Sequence, residues 1–131
     1  MSIEMDKFSP LALAYIGDAV YELAVREYLL HNGHVYNKKL HQAAVAYVRA
    51  DRQSALYDSI SDLLNDEEKT VLRKGRNAKS GHQPQNVAVG AYRRATGVEA
   101  LIGWLYLKGD EERLMMIFDH LFENESEEQE K

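Results

Sequence analysis

Between Ser9-Pro10 and His31-Asn32-Gly33 the chain sets apolar residues at steps of three and four with no further proline, and both ends carry helix punctuation. Serine then proline gives an N-cap followed by a ring already fixed at helical φ, and asparagine-glycine suits the left-handed turn that closes a helix. A first helix is therefore expected from about Pro10 to about Leu30. With only two prolines in 131 residues and no sustained apolar-polar alternation, the same periodicity makes the chain all-α. Asn37 can cap a second helix to about Arg49, a third follows from about Asp51 to Leu64, and Asn65-Asp66-Glu67-Glu68 opens a fourth with acids where the helix dipole favours them. Residues Arg73 to Asn86, "RKGRNAKSGHQPQN", read as a basic loop. A fifth helix is expected from about Asn86 to Leu107 and a sixth from Asp110 to about Phe122. The fifth carries Gly90, Gly97 and Gly103, which suggests close backbone approach to a neighbour. Residues 1–122 form one domain in this reading, and 123–131 are an acidic tail without an apolar face, expected to be disordered.

Charge is distributed unevenly. From Asp110 to Lys131 nine acids stand against Arg113 and Lys131, so the net −5 of the chain hides a balance of +2 over residues 1–109. Between Lys69 and Val98 lie Lys69, Arg73, Lys74, Arg76, Lys79, Arg93 and Arg94, and no acid. That segment suits a phosphate backbone despite the acidic total. Cysteine is absent, which excludes disulfides, thiolate nucleophiles and thiolate-held zinc. No segment has the length of a membrane span and the N-terminus lacks a basic-then-apolar leader, so a cytoplasmic protein with no membrane partner is expected.

The sharpest anomaly is "AYIGDAVYELAV", Ala14 to Val25, where Gly17-Asp18 interrupts an otherwise apolar helix. Glycine there costs about 1 kcal/mol relative to alanine, and an unpaired buried carboxylate costs more. "ATGVEALIGWLYL" repeats the pattern with Glu99. Two carboxylates brought together repel and raise one another's pKa unless a cation lies between them, and Mg²⁺ meets that need through oxygen ligands and retained water. An outward, solvated or salt-bridged acid is the ordinary alternative at either position.

"YIGDAVYELAVREYLL" resembles the signature helix of the ribonuclease III family, and "GVEALIGWLYLKGD" its second motif; the two lie in order, about eighty residues apart, with "LRKG" between them. The departures are specific. Leu11 and Ala14 stand where the family has the glutamates of its signature, and Thr96 replaces an aspartate three residues before Glu99. With "KGRNAKSGHQPQN" and no double-stranded-RNA-binding domain, the chain is similar to the short bacterial branch of that family. The resemblance implies an all-helical homodimer of ribonuclease III-type endonuclease domains, in which Asp18 and Glu99 bind Mg²⁺ and activate water for cleavage of double-stranded RNA to 5′-phosphate and 3′-hydroxyl ends. It also implies a substrate, the stem formed by the ends of precursor 23S ribosomal RNA, and possible help from a large-subunit ribosomal protein. Fewer ligands than in longer relatives should mean weak metal affinity.

Other residues stay open at this level. Glu22 is an outer ligand or an i,i+4 partner of Arg26, and Thr96 bonds water at the site or a carbonyl of its own helix. Arg73, Lys74, Arg76, Asn77, Lys79 and His82 form the candidate RNA-binding segment, with Arg93 and Arg94 placed to hold phosphates near the scissile bond or to pair with the tail. Tyr15, Ile16 and Gly17 match signature residues that face the partner subunit in the family, Gly17 letting that subunit come close; Tyr15 could instead fill its own core. His31, His34 and His41 straddle a helix stop and a loop, a poor basis for zinc. Two other functions fit parts of the pattern: a catalytically silent RNA-binding dimer, and an all-α Mg²⁺ nucleotide hydrolase, which would show more acids at i,i+3 and i,i+4.

Overall fold

The computed structural model describes residues 7–33, 38–79 and 88–129, with side chains as far as residue 123. Its helices are α1 (Pro10–His31), α2 (Lys38–Val48), α3 (Ala50–Ile60), α4 (Asp66–Asn77), α5 (Val89–Lys108) and α6 (Glu111–Gln129), with a 3-10 turn at Ser61–Leu63. No strand occurs among the described residues, in line with the all-α expectation. Asn37, the expected cap of α2, lies outside them.

Local chemistry sets the helix ends. Ser9 Oγ accepts the Ala12 N–H at 3.1 Å with Pro10 in the first helical position, and Gly33 follows the end of α1 at φ +87°. Asn65 and Glu68 form a capping box on α4, each side chain accepting from the other's backbone N–H at 2.9 Å.

α5 is the axis of the domain. Nine of its residues are buried, and it packs against α1, α3 and α4, with α6 in lighter contact. Two glycine crossings make that density possible. A Cβ on Gly17 would lie 2.6 Å from the Glu99 carbonyl carbon and 2.9 Å from the Gly103 nitrogen; one on Gly103 would lie 2.9 Å from the Leu13 carbonyl carbon. A Cβ on Gly75 would lie 2.9 Å from the Gly97 Cα, and one on Gly97 2.7 Å from the Leu72 carbonyl oxygen. Real side chains do not approach backbone so closely, so α1 meets α5 at one glycine pair and α4 meets α5 at another.

Three expectations change. Arg73 to Asn77 belong to α4 rather than to a loop, because Gly75 is a packing position against α5 and not a hinge. The close approach that Gly17 allows is to α5 of its own chain, so the missing side chain serves the packing of a single subunit. The backbone of the acidic segment continues α6 to Gln129, where a disordered tail was expected; glutamate and glutamine are strong helix formers even without an apolar face.

The remaining core is apolar and aromatic. Tyr21, Val25, Ile60, Val98, Leu101, Ile102, Leu105 and Ile117 are fully buried. α6 closes over α1 and α2 through Phe122, stacked on Tyr28 with ring centroids 3.8 Å apart and set edge-on to Tyr47 at 5.7 Å.

Candidate active site and nucleic-acid surface

The α1/α5 crossing brings the two anomalous acids together. Gly17 touches the backbone of Glu99, so the next residue, Asp18, reaches the Glu99 carboxyl within hydrogen-bonding distance. Burial chiefly, then the hydrogen bond to Asp18 and its charge, push the Glu99 carboxyl up to about 9 from an ordinary 4.5. The half-buried Glu99 carboxyl thus favours its protonated form beside the exposed Asp18.

Neighbouring side chains limit what else joins them. Ala14, one turn before Asp18, is buried with Leu13 and Ala100, so an apolar contact fills that position. Glu22 pairs with Arg26 at 2.6 Å, and Thr96 donates to the Tyr92 carbonyl of its own helix at 3.0 Å, in each case the ordinary helix partner. Tyr21, one turn after Asp18, donates to the Tyr47 carbonyl; burial pushes its hydroxyl well above the usual tyrosine range, and the Glu99 charge adds to that rise.

Among the described residues no three His, Cys, Asp or Glu side chains converge as metal ligands. Two adjacent carboxyls, one of them raised by burial and by the other's charge, fit Mg²⁺, which is commonly held by one or two carboxylates and completed by water and substrate phosphates. They do not suit zinc, which takes three or four protein ligands. His34 lies outside the described residues.

The basic residues divide into two kinds. Arg73, Lys74, Lys79 and Arg93 are exposed, as is Asn77. Arg76 and Arg94 are half-buried and held: Arg76 Nη1 donates to the Tyr57 hydroxyl at 3.1 Å and Nε to Asn77 Oδ1 at 3.3 Å, while Arg94 Nε donates to Ser54 Oγ at 2.7 Å. His82 lies outside the described residues. Ser54 and Tyr57 were missed in the sequence, where a serine and a tyrosine three apart look like any polar helix face.

Tyr15 is 80 % exposed, so it does not fill its own core; Ile16 is half-buried and Gly17 buried.

Residues 11–110 match the Ribonuclease III domain family, spanning Asp18, Glu99 and the helices between them. The Mini-ribonuclease 3 of a Thermoanaerobacter species is 49% identical over 111 residues, covering 85% of this chain and 78% of the relative. The Mini-ribonuclease 3 of Clostridium tetani is 41% identical over 128 residues, 95% of this chain and 85% of the relative. A crystal structure of a Fusobacterium nucleatum protein superposes with a TM-score of 0.84 at 34% identity, covering 95% of this chain and 99% of that one.

Proposed function

Because the chain belongs to the ribonuclease III family, in its Mini-ribonuclease 3 branch, and is an endoribonuclease by that membership, we propose that it is a Mg²⁺-dependent nuclease specific for double-stranded RNA, with Asp18 and Glu99 as its metal ligands and catalytic acids. The observation that carries the reading is the carboxyl pair at the glycine crossing, where backbone packing forces together two acids that repel. A fold gains nothing in stability from such a pair; a cation site does.

Asp18 and Glu99 would hold the ion from two different helices, at the α1/α5 contact rather than on a loop. Glu99 would have to lose its proton for both ligands to be charged. When bound, the ion supplies acidified water and a counter-charge for the phosphodiester oxygens. The chain supplies the rest: Arg73, Lys74, Lys79 and Arg93 offer exposed cations to RNA phosphates. Tyr15 and Ile16 offer an apolar contact to a second copy in the proposed homodimer, which Gly17 borders. The proposed substrate is the stem joining the ends of precursor 23S ribosomal RNA, with a large-subunit ribosomal protein as possible presenter, the role implied by the family resemblance.

The test is a labelled RNA hairpin and its single strand, incubated with Mg²⁺ and wild type, Asp18→Asn or Glu99→Gln. The reading expects the hairpin to be cut by wild type alone and bound by all three. Binding by all three with no cleavage by any would leave a silent RNA-binding dimer, and hydrolysis of nucleoside triphosphates without RNA cleavage a nucleotide hydrolase.

A further inference from the structure

Three described arginines meet a carboxylate: Arg26 meets Glu22, Arg49 meets Asp51 and Arg113 meets Glu68. Arg76 and Arg94 are different. They come from two helices, α4 and α5, and each is held by a hydroxyl of a third, α3. Among the described residues neither has a carboxylate partner. A neutral hydroxyl orients a guanidinium without cancelling its charge and leaves most of its N–H donors open.

The two hydroxyls are three residues apart on α3 and so lie on one face of it. Tyr57 lies against α5 at Gly97, where an added Cβ would come 3.4 Å from the ring edge and 3.3 Å from the backbone nitrogen of Arg76. The terminal nitrogens of Arg94 lie beside Gly90, where an added Cβ would stand 3.3 and 3.6 Å away. Gly90, the first glycine of α5, is exposed and places no side chain over that guanidinium. Arg94 precedes Glu99 by five residues, a turn of about 140° around the helix. It therefore leaves α5 on a different side from Glu99.

We propose that Arg76 and Arg94, positioned by Tyr57 and Ser54, form a clamp for a backbone phosphate of double-stranded RNA on a face of the domain separate from the Asp18–Glu99 pair. The clamp rests on the RNA-cleaving reading above and deepens it. A contact remote from the reacting phosphate is made equally in the ground state and the transition state, so it acts on affinity and not on the chemical step. Ser54 and Tyr57 are positioning residues; the charges that meet phosphate are those of the arginines.

Binding of a fluorescent RNA hairpin without divalent metal, across a salt series, is measured for wild type, Arg76→Gln, Arg94→Gln, Ser54→Ala, Ser54→Thr and Tyr57→Phe, followed by KM and kcat with Mg²⁺. Each arginine variant is expected to weaken binding about ten-fold and to lower the slope of log affinity against log salt by about one. Ser54→Ala and Tyr57→Phe are expected to weaken binding by about three-fold with the salt slope kept, since the charges remain, and Ser54→Thr to restore it. The cleavage losses should appear in KM. Melting curves identify any variant that has lost its fold, and the arginine variants, which remove no buried apolar group, carry the test in that case. Wild-type affinity and slope in both arginine variants overturn the clamp while leaving cleavage intact. Losses confined to kcat overturn its separate placement, and wild-type affinity in folded Ser54→Ala and Tyr57→Phe overturns the hydroxyls' role. A wild type that neither binds nor cuts the hairpin overturns the clamp together with the reading beneath it.

Discussion

Glu68 and Glu99 are both glutamates taken into the helical domain, and they are held in opposite states. Glu68 is 1 % exposed, yet Arg113 reaches it from α6 with two bonds, Nε to Oε2 at 2.8 Å and Nη2 to Oε1 at 2.7 Å, and the Asn65 N–H adds a third. The Arg113 hydrogen bonds hold its carboxyl below the usual carboxylate range, outweighing burial. Glu99 meets another acid, and its carboxyl rises to about 9. Burial is common to both; the partner decides. One glutamate is a strut that ties the start of α4 to α6, and the other is an unfinished site whose charge calls for a ligand.

The largest difference expected is in cleavage. Glu99→Gln or Asp18→Asn should lower the rate on a hairpin by roughly a thousand-fold, the loss of several kcal/mol of charge stabilisation at the reacting phosphate. Neither should lower the melting temperature of the metal-free protein, because each relieves the cost of burying Glu99 beside a second acid. Arg113→Ala is the mirror experiment. Stranding a buried carboxylate should cost about 3 kcal/mol and lower the melting temperature by roughly 10 °C, with cleavage per folded molecule unchanged. A normal melting temperature in Arg113→Ala, or a large fall in Glu99→Gln, would erase the contrast.

Acid and base should separate the two next. Glu68 has a depressed folded pKa, so the stability it contributes is complete above its unfolded value of 4.5 and is lost as pH falls through the lower folded value. Glu99 has a raised folded pKa, so the metal-free fold binds a proton that the unfolded chain releases above 4.5, and stability falls from there until about pH 9. The limit for one such group is about 1.4 kcal/mol per pH unit. Chemical denaturation of the metal-free protein from pH 4 to 10 should show the downward slope in wild type and a flatter line in Glu99→Gln, while Glu68→Gln should blunt only the acid limb.

How far the sequence reaches is visible in the same residues. Asp18 and Glu99 were legible because each breaks an apolar pattern, and two such breaks need a common cause. The start of α1 was legible from Ser9-Pro10, a wholly local signal. Glu68 was read only as an acid suited to a helix start, and Arg113 only as one of two bases in an acidic segment, since nothing local links residues 45 apart. Gly75 was misread for the same reason: beside basic and polar residues a glycine looks like a loop, and only the backbone of α5 shows it to be a contact. Ser54 and Tyr57 left no local signal of their part in holding arginines from other helices.

The finest test concerns the proton that Glu99 keeps. At pH 7 a carboxyl with a pKa of about 9 is protonated in the metal-free protein, whereas a pair of metal ligands must both be charged. Binding of Mg²⁺ at pH 7 should therefore release about one proton per site, read as a dependence of the calorimetric enthalpy on the ionisation heat of the buffer. The release should fade as pH passes 9, vanish in Glu99→Gln, and be unaltered in Glu68→Gln. For the same reason metal affinity should rise by up to about ten-fold per pH unit between 7 and 9. Because two carboxylates are all that this site provides, and one must first be deprotonated, half-saturation for cleavage at pH 7 should lie well above the low micromolar range. Tight binding with no proton released would mean that Asp18 and Glu99 are already charged without metal, and the comparison with Glu68 would lose its basis.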